Sequence, residues 1–373
     1  MGQQGKIIYA SSAENPDILY ASGFDAHDPF LFFETASAKG IVVSKLEAGR
    51  AEDMVKPGIE VFELDEFFEP EQKRRGPAET IARLARRFHA DEWIVPYSFP
   101  CGVADVLRKR GFRIIPLDGP FMPERRAKSA EEIDAISNAM ELAENAMDKV
   151  AAMIANATVD NDGTLLLDGE TMTSEKLKFE IAAEILRGDG SAVDSIVACG
   201  KHAAQPHNQG SGPITAGKPI VVDIFPKGPS RYHGDITRTF LKGKAPSVVA
   251  NAFVAVKEAR DEATSAIQAE TTAVEIHTIA KEILEKHGFK TEKRDGGNVG
   301  FFHGLGHGVG LDVHEPPRLS DKSSDVLRNG DVVTVEPGLY YPEWGGIRLE
   351  DLVVVRETGC DIITKFPTFL ELE

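Results

Sequence analysis

Four carboxylates stand inside or at the ends of apolar, strand-like runs, and this constrains the chain more than any other feature. Asp223 ends Ile220-Val-Val, Asp235 opens Ile236-Thr-Arg-Thr-Phe240, Glu336 ends Val332-Val-Thr-Val335, and Glu350 lies within Ile347-Arg-Leu-Glu-Asp-Leu-Val-Val-Val355. A buried carboxylate without a partner is expensive, so such a chain has to supply counter-charge where these strands meet. Turn residues link the acids in pairs: Pro226 to Gly234 separates the aspartates, and Pro337-Gly338 through Gly345-Gly346 separates the glutamates. Each pair therefore fits a hairpin-like return, and the four acids can converge. A salt bridge on an edge strand would account for any one of them. For all four together, two divalent ions carry the charge that nearly neutralises the cluster.

The nitrogen donor for such a site is found in Phe302-His-Gly-Leu-Gly-His-Gly-Val-Gly-Leu-Asp-Val-His314. His303 and His307 have the spacing of a helical zinc motif, but the glycines at 304, 306, 308 and 310 disfavour a helix, and Gly304 stands where that motif needs glutamate. An extended segment fits better, with His303, Leu305, His307 and Val309 on one face and bare glycine backbone on the other, able to approach a ligand or metal. His314 has the opposite parity and needs a bend to join them. A glycine-rich loop with solvated histidines is the alternative. Oxygen ligands with one imidazole suit manganese, cobalt or iron, with zinc also possible.

At 373 residues the chain is long enough for two domains. Short apolar runs (Gly40–Ser44, Trp93–Pro96) alternate with helical stripes (Glu79–Phe88) up to about residue 118, which predicts an α/β unit. The proline- and glycine-bearing segment 117–126 reads as a connection, and the expected domains are 1–122 and 123–373. After it, the capping box Ser129-Ala-Glu-Glu132 opens a long amphipathic helix, a second helix runs from about Ser174 to Leu186, and strands follow. The order repeats with a helical stripe from Val249 to Ala266, a capping box at Thr272-Ala-Val-Glu275 and more strands. This predicts an α+β domain of two similar halves whose helices cover one side of the sheet. Residues 162–169 read as a surface hairpin without assigned function.

The formal charge is −17, from 42 basic and 59 acidic residues, which disfavours nucleic acid and anionic membranes as partners. No apolar run is long enough to span a bilayer, and the first residues lack a secretory core, so a cytoplasmic location is expected. Cys101, Cys199 and Cys360 form no CxxC pair and read as buried free thiols.

Taken together, Asp223, Gly234-Asp-Ile-Thr-Arg-Thr-Phe240, His303-Gly-Leu-Gly-His-Gly-Val-Gly-Leu-Asp-Val-His-Glu-Pro316, Val335-Glu-Pro-Gly338 and Gly346-Ile-Arg-Leu-Glu-Asp351 resemble the proline-specific metallopeptidases, prolidase and aminopeptidase P. Asn15-Pro-Asp-Ile-Leu-Tyr-Ala-Ser-Gly-Phe24 is similar to the opening of their N-terminal domain. The resemblance implies a creatinase-like α/β N-terminal domain and a pita-bread catalytic domain with pseudo-two-fold halves. It implies Asp223 as ligand of one metal, Asp235 and Glu350 as bridges, and His307 and Glu336 as ligands of the other. His207, in Ala204-Gln-Pro-His207, matches a substrate-site histidine, while His303 and His314 match second-shell and carbonyl-binding histidines; Arg348 resembles a partner of the acids. The two aspartates are one residue further apart than is usual in that family, and Ile224-Phe225-Pro226 replaces small residues, which places the insertion in the hairpin loop.

The implied reaction is two-metal hydrolysis of Xaa-Pro bonds, with Glu336 carrying the proton from water to the leaving proline nitrogen and His314 donating to the tetrahedral oxygen. The expected ions are manganese or cobalt, with zinc or iron as alternatives, and the expected partners are a proline-containing peptide and a second copy of the chain. Arg318, in His314-Glu-Pro-Pro-Arg318, resembles an arginine of the prolidases that grips the free carboxylate of the C-terminal proline, and it favours a dipeptidase over an aminopeptidase on longer peptides. The competing reading is a surface arginine paired with Glu315 or Asp321. A peptide- or protein-binding module is the alternative from a different class; it is the expected outcome when such a domain has lost its metal ligands, and all five are present here. The same ligand set argues against metal-free, creatinase-type hydrolysis, and the N-terminal domain argues against a methionine aminopeptidase.

Overall fold

The computed structural model describes residues 3–69, 76–192, 194–294 and 297–373. The chain divides into two compact units, Met1–Arg125 and Arg126–Glu373, the division falling within segment 117–126.

The first unit is an α/β sandwich. Its strands β1 (Gln3–Ala10), β2 (Phe30–Glu34), β3 (Lys39–Val43), β4 (Glu60–Glu63), β5 (Ala90–Pro96) and β6 (Arg113–Leu117) form one sheet in the order β4-β3-β2-β1-β5-β6. Helices α1 (Pro16–Ser22), α2 (Ala48–Met54), α3 (Pro77–Arg87) and α4 (Cys101–Lys109) connect them. Side chains alternate across a strand, so Ile7, Leu31, Phe33 and Trp93 enter one apolar cluster with α3 and α4, while Ile8, Phe32 and Ile41 enter another with α1 and α2. Of the three free cysteines, Cys101 at the start of α4 is exposed rather than buried, because that turn faces solvent.

The second unit opens with α5 (Ala130–Asn156), whose capping box joins Ser129 and Glu132 reciprocally. A small sheet of β7 (Thr158–Val159), β8 (Leu165–Leu167) and β9 (Glu170–Thr171) contains the 162–169 segment and leads into α6 (Ser174–Arg187). Strands β10 (Ile196–Cys199), β11 (Ile220–Ile224) and β12 (Ile236–Lys242) then pair antiparallel. The second half repeats the plan with α7 (Ser247–Ser265), α8 (Ala273–Lys286, boxed by Thr272 and Glu275) and a small hairpin, β13 (Glu292–Arg294) with β14 (Gly297–Val299). Its strands are β15 (Gly306–Gly308), β16 (Glu315–Leu319), β17 (Val332–Val335), the hairpin β18 (Gly338–Tyr341) with β19 (Gly345–Arg348), β20 (Asp351–Val355), β21 (Cys360–Ile362) and β22 (Glu371–Leu372). The sheet orders are β10-β11-β12-β22 and β16-β15-β17-β20-β21. One apolar cluster packs α5 and α6 against Val222, Ile224 and Phe240, and a second packs α7 and α8 against Val333, Val335 and Val353. This is the α+β pita-bread fold joined to an α/β N-terminal unit. Among the described residues no helix is long and apolar enough to cross a membrane.

One expectation fails locally. Regular strand persists only over Gly306–Gly308, and Leu305 and Val309 enter the two apolar clusters instead of sharing a face with His307. The glycines serve protein packing rather than ligand approach: a Cβ at Gly306 would meet the Thr334 carbonyl, one at Gly308 the Pro316 carbonyl, and one at Gly310 the Glu315 carboxylate. The chain bends through this segment because neighbouring backbone lies where side chains would stand.

Candidate metal centre

Strand ends deliver the acids. Asp223 occupies the fourth position of β11, opposite Ile196 on one side and Thr237 on the other, and Asp235 precedes β12 on the returning arm. Val335 of β17 pairs with Asp351 of β20, so Glu336 and Glu350 emerge side by side from the end of that ladder. His307 sits at the centre of β15, paired with Arg318 of β16. These five side chains, together with His207, His303, His314 and Arg318, line one cavity of about 580 Å³.

Within it, Asp235, His307 and Glu350 each offer one ligand atom, all within 4.8 Å of one another. His307 Nε2 lies 3.4 Å from Glu336 Oε1 and 3.8 Å from Asp235 Oδ2. Asp223 Oδ2 accepts a hydrogen bond from Arg348 Nη2 at 2.6 Å, whereas its Oδ1 is buried with no partner among the described residues. Thr237 Oγ1 donates to Glu350 Oε2 at 2.8 Å. An orphaned carboxylate oxygen beside three more acids and a free imidazole nitrogen is a donor set that fits divalent cations.

The electrostatics point the same way. Burial, followed by repulsion from the neighbouring acids, raises Asp235 and Glu350 well above the ordinary carboxylate range. Burial likewise raises Glu336, to about 8, with Asp223 adding to it and Arg348 opposing. Burial lowers His307 to about 3, helped by His314, which keeps the imidazole neutral and its lone pair available. Without cations the cluster resists ionisation; with them it is the site's charge balance.

Tyr340 is a member that sequence reasoning missed. His303 Nδ1 lies 2.7 Å from the Gly304 carbonyl, which can only accept, so Nδ1 carries the proton and Nε2 accepts from the Tyr340 hydroxyl at 3.0 Å. The same hydroxyl oxygen accepts from Arg348 Nη1 at 3.0 Å. Arg348 also donates to the Pro206 carbonyl, just before His207, and from Nε to Thr237 Oγ1. One buried guanidinium thus ties Asp223, Thr237, Tyr340 and the His207 loop together. Burial lowers His303 to about 3 and raises Tyr340 to about 12, so both stay neutral. In sequence Tyr340 looks like any aromatic of a buried strand and carries no signal. Thr237 did carry one, because it stands two residues after Asp235 on the same strand face.

His314 packs edge-on against His307, with ring centroids 4.3 Å apart, and burial lowers its pKa, so it presents a neutral N–H. Arg318 is exposed and points into the cavity; neither Glu315 nor Asp321 forms an ion pair with it among the described residues. Glu315 turns instead to Lys128, whose Nζ lies 2.5 Å away in a pair that is nearly sealed from solvent. The Arg318 backbone N–H is held by Asp325 Oδ2 at 2.9 Å. The sequence offered Glu315 as a partner for Arg318 and gave no hint of Lys128, since residues 187 positions apart leave no local sign of pairing.

A cluster of four acids and one histidine, all buried except the partly exposed Glu336, fed from the ends of two antiparallel ladders and opening into a peptide-sized cavity, defines a metal-dependent hydrolase. The model of metallopeptidase family M24 matches residues 134–357, and the chain belongs to that family. It is 30% identical to the Xaa-Pro dipeptidase of Pyrococcus horikoshii over 359 residues, 95% of this chain and 91% of that one. It is 35% identical to the Xaa-Pro dipeptidase of Pyrococcus furiosus over 250 residues, 67% of this chain and 66% of that protein. Among solved structures, the prolidase of Pyrococcus horikoshii OT3 superposes with a TM-score of 0.79 at 27% identity, covering 100% of this chain and 96% of that one. The family is one of metallopeptidases, and a divalent metal cofactor goes with it.

Proposed function

We propose that this metallopeptidase hydrolyses Xaa-Pro bonds and works chiefly as an Xaa-Pro dipeptidase. The observation that carries the reading is Arg318: a guanidinium with no acidic partner among the described residues lines the same cavity as the four acids, as the cross-strand neighbour of His307. A forked pair between that guanidinium and the C-terminal carboxylate of a dipeptide would set the scissile bond over the acids. The names of the Pyrococcus relatives support the same substrate.

In this reading Asp223, Asp235, His307, Glu336 and Glu350 hold two divalent ions, manganese or cobalt before zinc or iron. When bound, such ions supply Lewis acidity toward the scissile carbonyl and acidify water. Glu336, ionised once the cations are in place, takes the proton from water and passes it to the leaving proline nitrogen. His314 donates its neutral N–H to the oxygen that becomes negative, and His207 borders the substrate from the loop held by Arg348. His303 orients Tyr340 rather than moving a proton, since both of its nitrogens are engaged. The same reading makes the chain a cytoplasmic homodimer.

The test compares Xaa-Pro dipeptides with Xaa-Pro tripeptides in wild type and Arg318→Met. The dipeptide should be the better substrate, and Arg318→Met should lose ~1.5–3 kcal/mol on dipeptides, with tripeptides much less affected. Faster cleavage of tripeptides by wild type, or an unchanged kcat/KM of the variant on dipeptides, would make the enzyme an aminopeptidase.

A further inference from the structure

The cavity contains a carboxylate that neither metal binding nor the proline end of the substrate uses. Asp194 lines it and is exposed, and among the described residues its carboxylate meets no hydrogen-bond donor and no cation. Its placement follows from the ladder. Ile196 pairs with Asp223, while Ser191 pairs with Lys227, so five steps along one strand oppose four along the other. One extra residue is accommodated between these pairs, and Asp194 has a φ of 46°, in the left-handed region. Bulges re-aim side chains, and here Asp194 joins the cavity wall beside Ile196 and Phe225.

Distance decides what this carboxylate can read. Ile196 pairs with Asp223, so at ~4.8 Å per strand and ~3.3 Å per residue Asp194, on the continuation of edge strand β10, has its Cα roughly 8 Å from that of Asp223, one strand over and two residues along, and roughly 10 Å from that of Asp235, two strands over. The α-ammonium of an Xaa-Pro substrate is two bonds from the scissile carbonyl carbon and belongs beside those acids, out of Asp194's reach. A lysine or arginine side chain in the same residue carries its charge about 6 Å from its Cα, far enough to arrive. Its methylene stem would lie along Ile196, Phe225 and Val313, all of which line the cavity, leaving only the cationic head at the exposed carboxylate. Arg318 belongs to β16, the edge strand of the other sheet, so two charges that are unpaired among the described residues flank the metal-binding acids with opposite sign.

We propose that Asp194 is a specificity-determining residue that favours a basic side chain ahead of the scissile bond, making Lys-Pro and Arg-Pro the preferred substrate class. This rests on the Xaa-Pro reading above. The test uses metal-loaded full-length protein at low ionic strength, where the charge is least screened. Values of kcat/KM are measured for Lys-Pro, its uncharged isostere norleucyl-Pro, and Glu-Pro, in wild type and Asp194→Asn. Asparagine tolerates the left-handed backbone as aspartate does, so the variant removes charge without strain.

The ratio of Lys-Pro to norleucyl-Pro should fall ~10-fold in Asp194→Asn, the scale of one lost charge-assisted contact, and the ratio of Glu-Pro to norleucyl-Pro should rise. Ratios that do not move would overturn the subsite while leaving Xaa-Pro hydrolysis intact. A uniform loss on all three substrates would also overturn it, by assigning Asp194 to the shared α-ammonium or to the wall itself. Cleavage of none of the three by wild type would take down this inference and the Xaa-Pro reading together.

Discussion

Chelation should give this protein a stability that falls with rising pH, and divalent metal should abolish that fall. Asp235 and Glu350 have ligand oxygens within 4.8 Å of each other. At an effective dielectric constant of ~20, two full charges at that separation repel by ~3.5 kcal/mol, before burial adds its share. The acids therefore hold protons in the folded, metal-free state at pH values where the unfolded chain has released them. Each raised acid lowers stability as pH climbs from its unfolded value of ~4 through its folded value, at up to ~1.4 kcal/mol per pH unit. Below pH ~6.5 the buried neutral histidines His233, His303 and His307 oppose this, because unfolding lets them take up protons, so stability gained there as pH rises offsets the loss. Above pH ~7 that opposition ends, while Glu336, raised to about 8, still titrates. Between pH 7 and 8 the chelated protein should lose on the order of 1 kcal/mol from Glu336 alone, measured by urea unfolding with chelator present. Metal-loaded protein should show no comparable slope, since the acids are already ionised. Equal stability of chelated protein at the two pH values, or the same slope with metal bound, would refute the argument.

Asp235→Asn and Glu350→Gln should each bind less divalent metal by elemental analysis and lose activity, because each removes an oxygen from the three-residue core of the cluster. His314→Ala and His207→Ala should keep their metal yet turn over more slowly, with His314→Ala down by ~10²–10³ in kcat; loss of metal from His314→Ala would show that the wrong histidine was assigned to the centre. Lys128→Met removes the ammonium facing Glu315 inside the protein and should cost about 3–5 kcal/mol in unfolding free energy, most of it recovered in Lys128→Met/Glu315→Gln, whereas a shift below ~1 kcal/mol would mean that water reaches the pair.

Local patterns in the chain already specified much of this molecule. Capping boxes at Ser129 and Thr272 and the apolar stripes behind them are read over a single turn, so the starts of α5 and α8 needed no tertiary information. The acids were legible for a related reason: a carboxylate in an apolar strand is anomalous on its own, whatever it later meets. Where a residue's role depends on what lies across the fold, the sequence was silent or misleading. The glycines of 304–310 suggested an open approach for ligand, but backbone from β16 and β17 occupies that space and bends the segment, sending Leu305 and Val309 into opposite cores. Tyr340 and Arg348 acquired their tasks only when β18 and β19 folded back over Asp223, and Glu315 turned to Lys128, leaving Arg318 to the cavity. The physical reason is range. Capping, periodicity and the cost of burying a charge act on neighbours in the chain, whereas the pairing that decides which charge is satisfied, and which stays free to hold metal or substrate, is set by contacts between distant strands, 125 residues apart for Arg348 and Asp223 and 187 for Lys128 and Glu315.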